Sequence, residues 1–187
     1  MTTGTNQTKV WVLDSSVFIH FLIIERFHVL VRCRAPLHIP EYVYRIELTG
    51  LRCQESTRTR ARTAVSAGHL AVQHLSIEDL TRIASLGPSR KAAIGEIACA
   101  ILAERHEGGV LIDDRRARRW LEVRVNVATW ESTEDVLVDA AHRLEVTESE
   151  LELFQKALAC GNYQCRFDLK NEYLMQRLAR HNPMADR

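Results

Sequence analysis

Five acidic side chains stand where the chain could do chemistry. Asp14 follows the apolar run Val10-Trp11-Val12-Leu13, and the pair Asp113-Asp114 follows Val110-Leu111-Ile112. Glu47 and Glu96 fall in stretches of helical pattern that turn back toward the same edge. Carboxylates gathered at one point repel each other, so such a cluster is costly unless cations neutralise it. All-oxygen ligation of this kind suits Mg²⁺ or Mn²⁺. An ion held there acidifies a water for in-line attack on a phosphodiester, and in sites with two ions roughly 3.5–4 Å apart the second steadies the leaving oxygen. Each acid also has a plainer reading. Asp14 could cap the helix that follows it, although Ser15 and Ser16 could do the same, Glu47 could sit on a solvated helix face, and Glu96 could favour its helix dipole. Of Asp113 and Asp114 one suffices as a cap, and the other then needs a reason.

Arg115, Arg116, Arg118 and Arg119 follow the late acid pair directly. On a helix they spread over more than one face, with Ala117 and Trp120 on the inner side. A guanidinium fork suits phosphate oxygens and makes binding salt-sensitive. The competing use is pairing with the acids or with Glu122. Arg58, Arg60 and Arg62 read as a solvated helix face, and His20 and His28 as structural histidines.

The elements that must position these residues alternate. Strand 1 ends at Asp14 and feeds a helix through Ile24. A second strand, Leu37-His38-Ile39-Pro40, leads into a helix from Glu41 toward Gly50 that carries Glu47. A charged helix over 56–67 stops at Gly68, and residues 69–75 form a strand candidate. A capped helix spans 76–86, closed by Gly87-Pro88, and a longer one runs from about Lys91 to His106 with Glu96 in its first turns. The strand Val110–Ile112, the helix Arg115–Glu122 and the strand Val125–Trp130 complete the alternation. The pattern predicts an α/β fold with a mostly parallel central sheet, in which ligands gather beyond the carboxyl ends of the strands. From Ser132 to His181 the patterning is helical only, and Gly161-Asn162-Tyr163 divides the part after Glu145 into two helices. The expected organisation is a polar tail over 1–9, a catalytic domain over 10–144 and a helical extension over 145–187.

Composition narrows the class. The 187 residues are 46% hydrophobic, enough for a core, and the net charge of +1 leaves attraction to a polyanion to local patches. The longest apolar stretch, near Val17 to Ile24, is interrupted by His20 and ended by Glu25 and Arg26, which argues against a membrane span. With a polar start and five cysteines lacking any metal-knuckle or redox spacing, the cytoplasm is the expected compartment. A receiver-type phosphate switch would carry its acid pair after strand 1, a dehalogenase-like phosphatase would have Asp-x-Asp where Asp14-Ser15-Ser16 stands, and no Gly-x-x-x-x-Gly-Lys phosphate loop occurs.

Together and in this order, Val-Leu-Asp14-Ser-Ser, Ile-Pro-Glu-Tyr-Val-Tyr-Arg-Ile-Glu47-Leu, Gly-Glu96-Ile-Ala-Cys-Ala-Ile-Leu-Ala and Leu-Ile-Asp113-Asp114-Arg-Arg-Ala-Arg resemble the PIN-domain ribonucleases, which include the VapC-type toxins. The resemblance covers about residues 10 to 130. Its Gly-Glu and Asp-Asp-Arg-x-Ala-Arg pieces are most similar to one PIN subfamily. It implies a three-layer α/β/α fold, Mg²⁺- or Mn²⁺-dependent cleavage of RNA, and toxicity restrained by an antitoxin. By position, Asp14, Glu47, Glu96 and Asp114 match the family's catalytic acids, with Asp113 beside them as a fifth that contributes through water. Asp14, Glu96, Asp113 and Asp114 are the implied metal ligands, Ser16 the hydroxyl residue that orients a ligand or water, and Arg115, Arg116, Arg118 and Arg119 the RNA-binding candidates. A module that keeps the fold and binds RNA or protein without cutting is the alternative. The chain departs from the family in carrying Ile112 where Thr is frequent and in its long tail. In that tail Leu151, Phe154, Leu158, Tyr173, Leu174 and Leu178 stand at helical spacing, for core packing, a homodimer or the place of an antitoxin.

Overall fold

The computed structural model describes residues 9–181, so the polar tail expected over 1–9 lies outside the described residues except for Lys9. Three short strands begin the sheet: β1 (Trp11–Leu13), β2 (Leu37–Pro40) and β3 (Ala71–Gln73). Two more, β4 (Gly109–Leu111) and β5 (Thr129–Glu131), complete it in the order β3-β2-β1-β4-β5. Every pairing is parallel, where the sequence pattern required only that most be so. Parallel neighbours need long crossovers, which here are helical and cover the sheet on both faces. That burial explains why β1 and β4 read as unbroken apolar runs.

The helices are α1 (Ser15–Ile23), α2 (Phe27–Arg34), α3 (Glu55–Ser66), α4 (Ile77–Leu86), α5 (Ile94–Arg105), α6 (Arg115–Leu121), α7 (Thr133–His142), α8 (Glu148–Cys160) and α9 (Leu169–His181). Helix α5 lies against β1, β2 and β4, with α4 and α6 beside it. Helices α1, α2 and α7 pack on one another, and a right-handed crossover from β1 to β2 puts α1 and α2 on the opposite face. Val12, Leu13, Val17, Phe18, Phe21, Ile97, Leu102 and Leu111 form the fully enclosed centre of the core. No helix among the described residues is long and apolar enough to cross a membrane.

Local chemistry accounts for most boundaries. Ser76 and Asp79 form a reciprocal cap on α4, Ser132 and Asp135 on α7, and Thr147 and Glu150 on α8. Helix α2 was not anticipated, because Glu25 at φ 55° breaks the chain after α1 and the short segment beyond it has no cap of its own. The helix expected from Lys91 starts at Ile94, since Ser89 N–H bonds Ala92 O in a turn first. The helix expected from Glu41 widens over Val43–Leu48 into a π-helical segment, closed by Thr49 N–H to Tyr44 O at 2.9 Å. Gly50 permits the closure, since a Cβ there would lie 2.3 Å from Ile46 O.

The chain runs outward from β1 to β3, then crosses back to β4 on the other side of β1. The carboxyl ends of β1 and β4 therefore flank the point where strand order reverses, the place where open parallel sheets form a crevice. Asp14 N–H bonds Leu111 O at 3.0 Å across it.

Candidate active site

Asp14 leaves β1 and caps α1. Its Oδ2 accepts the Ser16 hydroxyl at 2.5 Å and the Ser16 N–H at 3.2 Å, and the residue is 5% exposed. Burial pushes its carboxyl up to about 6, against the Ser16 hydrogen bonds and with the help of Glu47 and Asp113. Glu47, on the π-helical segment, accepts the Ser15 hydroxyl at 2.5 Å, and its pKa is raised by burial and by Glu96. Glu96, in the first turn of α5, accepts the Ala93 N–H at 2.7 Å, and its pKa is raised by burial, then by Asp14 and Asp114. Each of the three acids is thus felt by another, in a closed ring. Beneath them Cys99 donates to Leu13 O at 3.6 Å, its thiol pushed well up by burial and by the charges of Asp14, Glu47 and Glu96.

Gly95 makes the ring possible. A Cβ on it would lie 2.2 Å from Glu47 Oε1, so the glycine in Gly95-Glu96 is there to admit the neighbouring carboxylate.

The two late aspartates have different surroundings. Asp114 is exposed and caps α6, its Oδ1 accepting the N–H groups of Arg116 at 2.7 Å and Ala117 at 2.9 Å. Asp113 is enclosed, with a side chain 3% exposed that pairs with His20 Nδ1 at 2.6 Å and accepts from Thr133 and Tyr163. Of the two histidines read as structural, His20 therefore bonds an acid of the site, while His28 is exposed.

No cation pairs with Asp14, Glu47, Glu96 or Asp114 among the described residues. Their hydrogen bonds leave Asp14 Oδ1, Glu47 Oε1 and Asp114 Oδ2 without a donor there. In donor type the set fits a hard divalent cation: all oxygen, anionic and uncompensated. It is not preassembled, for among the described residues no three acidic, histidine or cysteine side chains stand close enough to hold an ion as they are. Asp14, Glu96 and Asp114 are instead engaged at the starts of their helices, and Glu47 with Ser15.

Next to Asp114 opens a groove of about 530 Å³ lined by Lys91, Arg115, Arg116, Arg119, Trp120 and Arg124. Its five cations pair with no carboxylate among the described residues, and the Arg124 guanidinium lies 4.5 Å from the Trp120 ring centroid. Arg118 faces elsewhere, bonded to Glu122 at 2.8 Å and 4.0 Å from Asp135. Sequence reading missed Lys91, Trp120 and Arg124 as groove residues, along with Ser15, Thr133 and Tyr163. The adjacency of Ser15 to Asp14 was a usable signal. The others meet the site only through the fold.

A family model described as a PIN domain matches residues 10–128. No curated protein matches the chain.

Proposed function

We propose, from the premise that the chain belongs to the PIN-domain family, that it is a Mg²⁺- or Mn²⁺-dependent endoribonuclease. PIN domains are typically nucleases and generally use divalent metals. The observation that carries the reading is the ring of Asp14, Glu47 and Glu96, whose pKa values burial and neighbouring acids raise while no cation stands beside them. Asp14, Glu47, Glu96 and Asp114 would hold the ion. When bound, it polarises the phosphoryl group and makes water more acidic. Ser16 and Ser15 each tie down one oxygen of Asp14 and Glu47, which would leave the other available to a cation. Arg115, Arg116 and Arg119, with Lys91 and Arg124, would grip phosphates of the strand on the Asp114 side.

Asp14→Asn and Glu96→Gln should each abolish Mn²⁺-stimulated RNA cleavage while leaving the protein folded, as a cooperative thermal melt checks. Equal cleavage by all three proteins would refute the assignment. The resemblance to VapC-type toxins extends the reading to the toxin of a pair, with an antitoxin and a second copy of the chain as partners. Induction of wild type, but not of Asp14→Asn, should then arrest growth, and sequencing of RNA ends would identify the substrate.

One observation favours a second reading. The carboxylates are not close enough together to hold an ion as they stand, which suits a binding module that does not cut. Titration calorimetry with no Mn²⁺ uptake in the millimolar range would select it.

A further inference from the structure

Asp113 is a fixed point of the molecule. Its Oδ1 accepts the Thr133 N–H at 2.8 Å and the Tyr163 hydroxyl at 3.2 Å, while its Oδ2 accepts the Thr133 hydroxyl and His20 Nδ1–H, each at 2.6 Å. These donors come from α1, from the start of α7 and from the connection between α8 and α9. Tyr163 also lies over His20, 4.2 Å between ring centroids. Burial and the Asp113 charge push its pKa far up, so the hydroxyl keeps its proton and donates. Hydrogen bonds to an ionised acceptor are the strong ones, and an enclosed carboxylate with both oxygens shared between donors has little freedom to turn toward an ion. Thr133 and Tyr163 stand beyond the segment that matches the family model, in parts of the chain the family resemblance does not reach.

We propose that Asp113 is a positioning residue, held by Thr133 and by Tyr163 of the C-terminal extension so that Asp114 presents its free oxygen to the cation. The extension is thereby a component of the site. The inference rests on the metal-dependent reading above. Its mechanism is mechanical: Asp113 pins the end of β4, Asp114 follows it directly, and Asp114 in turn holds the first N–H groups of α6. Loosening the pin lets both Asp114 and the start of α6 drift.

The test uses the full chain, with Mn²⁺ binding followed by electron paramagnetic resonance and amide exchange measured on the metal-free protein. Half-saturating Mn²⁺ should rise roughly tenfold in Tyr163→Phe and in Thr133→Val, the scale of losing a partner that orients a ligand. Thr133→Ser keeps the hydroxyl and should keep the affinity. The Arg116 and Ala117 amides should exchange faster in the two weakened proteins, with those of α5 unchanged. Wild-type affinity in Tyr163→Phe and Thr133→Val overturns the proposal, and so does an equal loss in Thr133→Ser, which would mark a packing defect. Undiminished Mn²⁺ binding by Asp14→Asn, or none by wild type, instead defeats the metal reading itself and takes the proposal with it.

Discussion

A methyl group at position 95 would displace a carboxylate. Glu47 Oε1 occupies the space a Cβ of residue 95 would need, and the side chain that must yield is flexible at that end. Gly95→Ala is therefore expected to weaken Mn²⁺ affinity and cleavage while changing stability by no more than about 1 kcal/mol, the helix preference of alanine offsetting the displacement. Thermal melting beside a Mn²⁺ titration measures both. Asp14 gives a second expectation through pH. Its carboxyl is raised from 3.8 to about 6, so it binds a proton more tightly folded than unfolded. Below both values it contributes nothing, and as pH rises through that interval the metal-free protein loses stability. Asp14→Asn escapes the loss, so its stability relative to wild type should grow by about 2 kcal/mol between pH 4 and pH 7. Urea melts of both proteins at the two pH values check this, and a constant difference would contradict it. The positions of Asp14, Glu96 and Asp114 could be anticipated because each stands at the end of a strand or the start of a helix. The different surroundings of Asp113 and Asp114 could not. The Thr133 and Tyr163 partners of Asp113 are 20 and 50 residues away and leave no local trace.

At the scale of elements, strands ending in acids were legible because burial on both faces writes an apolar run into the sequence. The π-helical turn was not. Six residues are too few for a wider turn to alter the apolar period, and the segment shows itself in its backbone bonding, as in Thr49 N–H to Tyr44 O. Helix α6 divides its arginines in a way composition alone does not reveal. Arg115, Arg116 and Arg119 line the groove, and Arg118 is occupied by Glu122. Binding of a labelled single-stranded RNA to the Asp14→Asn protein should lose about 1.4 from its log–log salt slope when Arg116 and Arg119 both become Gln, about 0.7 for each phosphate contact removed. Arg118→Gln should change the slope by less. Fluorescence anisotropy across a salt series makes the measurement, and equal slopes in all three would remove the groove from RNA binding.

At the scale of the whole molecule, the segment after Glu145 packs on its own domain. Leu151, Leu158 and Leu169 are fully enclosed, α8 and α9 lie on α7, and α8 also touches α1. Phe154 and Tyr173 are buried as well, while Leu178 is 66% exposed and takes no part. A second tie joins the extension to α7. Glu134, wholly buried, pairs with Arg166, which also reaches Ser132 Oγ at 2.8 Å and Asp135 at 2.7 Å. Arg166→Met removes the counter-charge of that carboxylate and should cost about 3 kcal/mol in urea unfolding. A loss under 1 kcal/mol would show the tie to be incidental.

Tyr163 also has a place in time. A chain leaving the ribosome exposes Asp113 well before the tyrosine that bonds it, 50 residues further on, has been translated. On the proposal above, a nascent fragment would lack one donor to Asp113 until the late helices have docked.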